Sequence, residues 1–461
     1  MGGRAVEGTS LENWRGCKLS VGSNPTPSAT SLSWIMILSL GHQLLKVRGV
    51  FRFYSNPVFL CLMAMGFTSG VPFLLTLSTL SIWLSECGFD TKAIGIFTAV
   101  SLPYAFKYLW APLLDRVTLP IFLWLHPVKR FGFFALICLI TSLCVLAHLD
   151  PVENLLWIAV VATAVSFFAA THDIVLDTLR IYASDASHVG GGAASESIGF
   201  RVGMITSGAG AVYLSLLIGW KGAYLAMAAC CVVGIIGLFN MPDPPAFKEK
   251  TAKYKNFWKD VFLAPLDSIV KQQLFTYVIA FILTIKIAGT VMNALGAPFL
   301  FSLGFSKLEY ASIVKVYGVS LMLLGSFVGG LIVHRKSTIY CLQLSGILQI
   351  IGCSLFALMA YLGQHHLDLL VVTLSIESFS SGLLSTGFIG YLSLFCKPPY
   401  VASHFTLLYS VGSLARVITS IIAGYVAAYF GWVVLFILSS ATLIPALWYL
   451  QKTLQKLTVK N

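Results

Sequence analysis

The sequence predicts an all-α integral membrane protein of twelve transmembrane helices arranged in two six-helix halves. Three observations lead there. Apolar runs of about twenty residues recur from Val58 to Leu450, and each is long enough to cross a bilayer. The Lys and Arg residues between those runs gather on alternate loops, which is the charge asymmetry that orients a multi-span protein. One long polar and basic segment follows the sixth run and divides the chain in two. Composition agrees: 57% of the residues are hydrophobic and only 10% charged, with mean hydropathy +0.85. A soluble domain carries about a quarter charged residues. The apolar runs are continuous rather than alternating, which excludes a membrane β-barrel.

The spans are expected at 57–84, 92–114, 131–149, 154–181, 195–218, 222–241, 273–302, 308–333, 338–362, 367–396, 401–429 and 432–450. They divide the chain into an N-terminal segment 1–50, a first half 51–241, a linker 242–271, a second half 272–451 and a tail 452–461. Residues 1–33 are polar and turn-rich and lack the apolar core of a signal peptide. Two readings of them stand: translated upstream sequence with the start at Met36, or a tail without fixed structure. Pro72, Pro103, Pro298 and Pro445 fall in or near spans and are expected as kinks, because neighbouring helices can satisfy the freed backbone groups. One side of the bundle collects Lys46, Arg48, Arg52, Arg116, Lys129, Arg130, the linker lysines, Arg335, Lys336, Lys397 and the lysines of the tail. The positive-inside rule makes this side cytoplasmic, together with both termini. The net charge of +12 therefore serves orientation and implies no nucleic acid. The ten cysteines form no C-x-x-C pair or cluster with histidine, and they read as small apolar residues. No metal ligand set or other cofactor is expected.

The charged residues inside spans carry the functional information. Asp173, Asp177 and Arg180 recur at i, i+4 and i+7, so one helix face holds all three. Each costs about 2.5–3.5 kcal/mol near the centre of a membrane helix, so that face must look at protein or at a water-filled cavity. The alternative for Arg180 is a pair that only locks helices together. A proton-coupled carrier needs a carboxylate whose protonation changes as the cavity alternates. Asp173, beside His172 and the deepest of the three, is the first candidate; Glu377 is the second, with hydrogen bonds to Ser378 or Ser381 as its bland alternative. Lys286, Lys315 and Arg416 are cations in spans of the second half, suited to a cargo carboxylate, and Lys286 could instead pair with Asp173. His404 is either a cargo donor or a packing histidine. Lys107, Asp115, Arg116 and Arg201 complete the set as ion-pair or gating residues, with Asp115 and Arg116 pairing across their loop. Most of Trp83, Trp110, Trp157, Trp220 and Trp432 lie near span ends and read as an interfacial belt.

Two six-span halves joined by a basic linker resemble the plan of the major facilitator superfamily. Gly325-x-x-x-Gly329-Gly330 before Arg335-Lys336 resembles its short loop motif, with Lys107…Asp115-Arg116 as the counterpart in the first half. The glycines of span five, Gly199, Gly203, Gly208 and Gly210, suit a sliding helix contact. A narrower resemblance follows from Gly66-Phe-Thr-Ser-Gly70-Val-Pro72, Phe106-Lys107…Pro112-Leu-Leu-Asp115-Arg116, Thr171-His-Asp173-Ile-Val-Leu-Asp177, Gly199-Phe-Arg201-Val-Gly203, Trp220-Lys-Gly222, Glu377-Ser-Phe-Ser-Ser-Gly382 and Ala402-Ser-His-Phe405. These are similar to the AmpG-type muropeptide permeases over residues 52–450. The resemblance implies a secondary active transporter in the bacterial inner membrane that works as a monomer. It would import GlcNAc-1,6-anhydroMurNAc, with or without its stem peptide, by proton symport for peptidoglycan recycling. Departures fall in the second half: Lys286 is followed by Ile-Ala-Gly289-Thr290 where the family often has an Asp, and Ser403-His404-Phe405 replaces Thr-Gln-Phe. The runner-up is a related carrier for another amphiphile, such as a peptide, a drug or an acyl-coenzyme A. An enzyme is not expected, because no nucleophile–base set or metal spacing is present, and no P-loop for ATP is found.

Overall fold

The computed structural model describes residues 54–89, 97–183, 189–244, 256 and 258–458. The expected N-terminal segment, with Met36, lies outside these residues, as do residues 245–255 and 257 of the linker. Among the described residues nine helices are long and apolar enough to cross a membrane. They are α1 (Pro57–Glu86), α2 (Pro127–His148), α3 (Leu155–Ala183), α4 (Val189–Asn240), α5 (Phe275–Ser302), α6 (Ser312–Arg335), α7 (Thr338–Leu362), α8 (Leu367–Ser393) and α9 (Val401–Thr458). Two of them are each a pair of expected spans. α4 turns back at Gly219 (φ 72°, ψ 169°) and α9 at Gly431 (φ 80°, ψ 171°). Only glycine takes that backbone conformation without strain. Both bends read Gly-Trp, so the turn between the last two spans is repeated in each half.

The second expected span departs from the prediction. Instead of one helix, residues 98–116 form short pieces: Thr98–Ser101, Leu102–Phe106, Lys107–Leu109 and Ala111–Arg116. Pro103 and Pro112 each stand in the first turn of a new piece. Proline suits that position, where its missing N–H is not needed, and it cannot continue the turn before it. Pro103 therefore breaks where a kink was expected. Pro72, Pro298 and Pro445 stay inside helices. Part of the expected polar linker is also helical, as Ala264–Val270.

The two halves have separate cores. One apolar cluster draws on residues 59–241 with Ala402, and the others draw on residues 269–450. Each half contains a close helix crossing made by glycine. In the first, a Cβ at Gly70 would run into the Phe200 carbonyl, and one at Gly199 into that of Met63. In the second, Gly325 faces the Phe379 carbonyl and Gly382 that of Met322. Gly199 and Gly203 thus bring α4 into backbone contact with α1, on the small-residue face expected to suit a sliding contact. π turns at Leu75–Thr79 and Thr206–Gly210 face each other across that crossing, and Thr79 Oγ1 donates to the Ser207 carbonyl at 2.9 Å.

Candidate functional site

The α3 face carrying Asp173, Asp177 and Arg180 points into protein, as the cost of exposing it to hydrocarbon requires. Lys107 comes to it from the turn Lys107–Leu109, where the broken helix lets the side chain drop inward. Its Nζ lies 3.8 Å from Asp173 Oδ2 and 3.7 Å from Asp177 Oδ2. Arg180 donates from Nη2 to Asp177 Oδ1 at 3.0 Å and from Nε to Glu196 of α4. Ser69 of α1 donates to Asp173 Oδ1. Lys107 is 4% exposed and Arg180 1%. Buried this far, each charge is tolerable because several opposite charges and hydrogen bonds answer it.

The network continues into the second half. Arg180 Nη1 donates to Ser393 Oγ at 2.8 Å, and its guanidinium lies 4.8 Å from the Phe405 ring centroid. Asp115 and Arg116 do not pair across their loop as expected. Asp115 accepts from the amides of Ala402 (3.0 Å) and Ser403 (2.8 Å) and from Ser403 Oγ, so a carboxylate of the first half caps the start of α9. A helix N-terminus offers unpaired N–H groups and a partial positive charge, which explains this choice. Arg116 turns to Tyr400, bonding its hydroxyl and lying 4.6 Å from its ring centroid. Nearby, Tyr54 donates to the Phe327 carbonyl at 2.7 Å, and Gly190 packs against Val333 and Gly330. These contacts gather on the face that carries Arg116, Arg335 and Lys397, and they seal the space between the halves from that side.

Behind the seal lies a cavity of about 320 Å³. Asp173, Asp177, Lys107, Glu196 and Arg201 line it from the first half; Ser385, Tyr409, Ser413 and Arg416 line it from the second. Phe73, Phe200, Leu77 and Val417 supply its apolar wall. Tyr409 is central, with Lys107 Nζ 5.1 Å from its ring centroid.

The remaining predicted residues divide. Arg201 lines the cavity but has no carboxylate within ion-pair distance among the described residues, so it is not the ion-pair member expected. Its recorded polar contact is Met204 Sδ at 4.0 Å. Arg416 also faces the cavity. Lys286 does not reach Asp173; its Nζ stands 3.8 Å over the Phe388 ring. Glu377 accepts from Ser381 Oγ at 2.8 Å and Ser378 Oγ at 3.3 Å, and is not part of the cavity wall. His404 is a packing histidine. Its Nε2 donates to the Pro265 carbonyl at 3.2 Å and its Nδ1 accepts from the Lys397 amide at 3.4 Å, which ties α9 to the helix Ala264–Val270. The side chain of Lys315 lies outside the described residues. Trp110 belongs to the interior and not to a belt, since its Nε1 donates to Thr171 Oγ1 at 3.1 Å. Trp83 stacks on Trp220, which donates to Glu86 Oε2 at 2.7 Å.

Glu196, Ser69 and Tyr409 are the site residues that sequence reasoning missed. Glu196 had a signal: it is the one acidic residue of the small-residue segment Val189–Ile205 and falls just inside the expected span 195–218, yet it was not read with the Asp173–Asp177–Arg180 face. The helix begins six residues earlier than 195, so Glu196 sits a full two turns inside it rather than at its end.

Comparison with known proteins adds the following. A family model described as Major Facilitator Superfamily matches residues 126–365. A Rickettsia felis protein named "Putative transporter AmpG 2" is 28% identical over 403 residues, covering 86% of this chain and 95% of the relative. The "Anhydromuropeptide permease" of Escherichia coli (strain K12) is 29% identical over 400 residues, covering 86% of this chain and 79% of the relative. Among solved structures, the transporter FucP in the outward conformation superposes with a TM-score of 0.65 at 13% identity, over 87% of this chain and 99% of that one. The human organic anion transporter MFSD10 superposes with a TM-score of 0.62 at 15% identity, over 87% and 99%. These two likenesses concern the fold alone.

Proposed function

The chain belongs to the Major Facilitator Superfamily, and from that premise we propose that it is a proton-coupled importer of anhydro-muropeptides in the bacterial inner membrane. The cargo is GlcNAc-1,6-anhydroMurNAc with or without stem peptide, carried from periplasm to cytoplasm for peptidoglycan recycling. Relatives named AmpG or anhydromuropeptide permease, matched over 86% of the chain, support the cargo class. The sealed face carries the basic loops, so by the positive-inside rule it is cytoplasmic, with both termini, and the cavity belongs to an outward-facing state.

One observation carries the coupling: Asp173 stands in the cavity wall on the same helix face as the ion pair that reaches the other half. Lys107 is shared between Asp173 and Asp177. A proton on Asp173 removes one of its two anionic partners. Lys107 then moves toward Asp177 and competes there with Arg180. The Arg180 bond to Ser393 weakens, and with it one strand of the cytoplasmic seal. Asp173 is therefore the proton carrier, and Asp177, Arg180 and Glu196 form the gate. Glu377 bonds the hydroxyls of its own helix and takes the second place.

The test is uptake of a labelled anhydro-muropeptide into proteoliposomes, acid outside and negative inside, with and without a protonophore. Uptake that the protonophore abolishes is expected. Asp173→Asn should keep cargo binding and lose pH-driven accumulation. Unchanged accumulation in that variant would remove Asp173 from the role.

A further inference from the structure

The cations near the cavity fall into two classes. Lys107 and Arg180 are answered by Asp173, Asp177 and Glu196. Arg201, Arg416 and Lys286 are not: among the described residues none of the three has a carboxylate within ion-pair distance. They come from three helices of both halves, Arg201 from α4, Lys286 from α5 and Arg416 from α9. Arg201 and Arg416 line one cavity; Lys286 stands behind its wall, beside Gly412, which precedes the lining residue Ser413, and a Cβ at Gly412 would lie 3.7 Å from Lys286 Cε. Each of the three repels the others across that space.

Unpaired cations at bilayer depth are costly unless an anion completes them. In and around the cavity five basic side chains, Lys107, Arg180, Arg201, Lys286 and Arg416, stand against three carboxylates. Guanidinium groups bind carboxylates by paired N–H donors, and the neighbouring Phe73, Phe200 and Val417 supply apolar contact for the rest of an amphiphile.

We infer that the Arg201–Arg416–Lys286 cluster selects cargo carrying at least two carboxylates, and that such a dianion draws the two halves together by bridging groups that otherwise repel. This rests on the muropeptide reading for the identity of the natural cargo. Within that cargo class it separates members. The disaccharide without peptide carries one carboxylate, on its lactyl group. A stem peptide ending in diaminopimelate carries more, and becomes the preferred substrate. The cluster also gives the empty carrier a reason to stay open: without an anion, closing the cavity brings three positive charges together.

The experiment is competition against a labelled disaccharide-tripeptide, using the full chain in lipid nanodiscs. The competitors are the unlabelled tripeptide form, the same molecule amidated to leave one carboxylate, and the same amidated to leave none. Affinity should fall about tenfold at each step, the scale of one charge-assisted pair. In the double variant Arg201→Gln, Arg416→Gln the three competitors should come within about threefold of one another, with thermal melting checking that the variant is folded. Equal affinity of the three competitors for the unaltered protein overturns the inference, whatever the variant does. A second pair without sugar, N-octanoyl-Ala-Glu against N-octanoyl-Ala-isoglutamine, separates the two readings. If no muropeptide binds but the dianion still exceeds the monoanion about tenfold, the cargo reading fails and charge selection stands. If muropeptides bind and neither series separates, the cargo reading stands and charge selection fails.

Discussion

The two halves hold their buried carboxylates in opposite ways. In the first half Asp173, Asp177 and Glu196 are all met by cations, Lys107 and Arg180, and the cations are shared: Lys107 between two aspartates, Arg180 among Asp177, Glu196 and Ser393. In the second half, among the described residues, Glu377 meets hydroxyl groups, those of Ser378 and Ser381 on its own helix. A shared ion pair is a device with two settings, because a proton on one partner changes the bonds of the next. A carboxyl held by its own helix has one setting and no route to the other half. Under the proposed function the switch belongs to the first half, and cargo contact falls to the Arg416, Tyr409 and Ser413 side of the cavity.

The largest effect expected from this contrast is at Arg180. Arg180→Gln leaves Asp177 and Glu196 buried with one cation fewer, and breaking a buried pair by removing one partner costs about 3–5 kcal/mol. A large loss of folded protein is expected, read as yield and as melting temperature in detergent. Arg180→Lys should recover only part of it, because an ammonium cannot span the three acceptors that the planar guanidinium reaches. Full stability in Arg180→Gln would mean that the network contributes nothing and would end the comparison.

Next in size is the cap on α9. Asp115→Asn keeps the shape but removes the negative charge that meets the Ala402 and Ser403 amides. Loss of a charged cap is worth about 1–2 kcal/mol, which moves a two-state equilibrium roughly five- to thirtyfold. Because the bond crosses between the halves, the shift should favour the inward-open state. Distances between spin labels at the cavity's open end should shorten in population-weighted terms, with melting temperature little changed. An unaltered distance distribution would show that the seal does not depend on this carboxylate.

Much of the fold was legible because its signals are long and redundant. A run of twenty apolar residues has one solution in a bilayer, and eleven of the expected spans match continuous stretches of α1–α9. The Asp173–Asp177–Arg180 face was legible for the same reason: charge in hydrocarbon must be answered. What could not be read was which partners answer it. Asp115 beside Arg116 in sequence reads as a pair, yet the free amides at the start of α9, nearly three hundred positions later, are the donors that meet its charge. His404 carried no mark distinguishing a cargo donor from a packing residue until the Pro265 carbonyl was placed beside it. Residues 92–114 were apolar enough to read as one span, and the two prolines that break it, Pro103 and Pro112, differ from Pro298 and Pro445 only in what surrounds them.

The smallest effect expected is at Glu377, and it is the sharpest test of the contrast. Glu377→Gln retains an oxygen that can accept from Ser381 and removes a charge that no cation among the described residues meets. A neutral hydrogen bond in place of a charge-assisted one changes stability by about 1 kcal/mol or less. Cargo uptake and its loss with a protonophore should both persist. Asp173→Asn, equally conservative in shape, should abolish accumulation. If instead Glu377→Gln loses pH-driven accumulation while Asp173→Asn keeps it, the proton travels through a carboxylate that, among the described residues, holds no ion pair to release. The seal would then have to open through α8, where Ser393 is the acceptor that Arg180 would have to release, and not through Lys107.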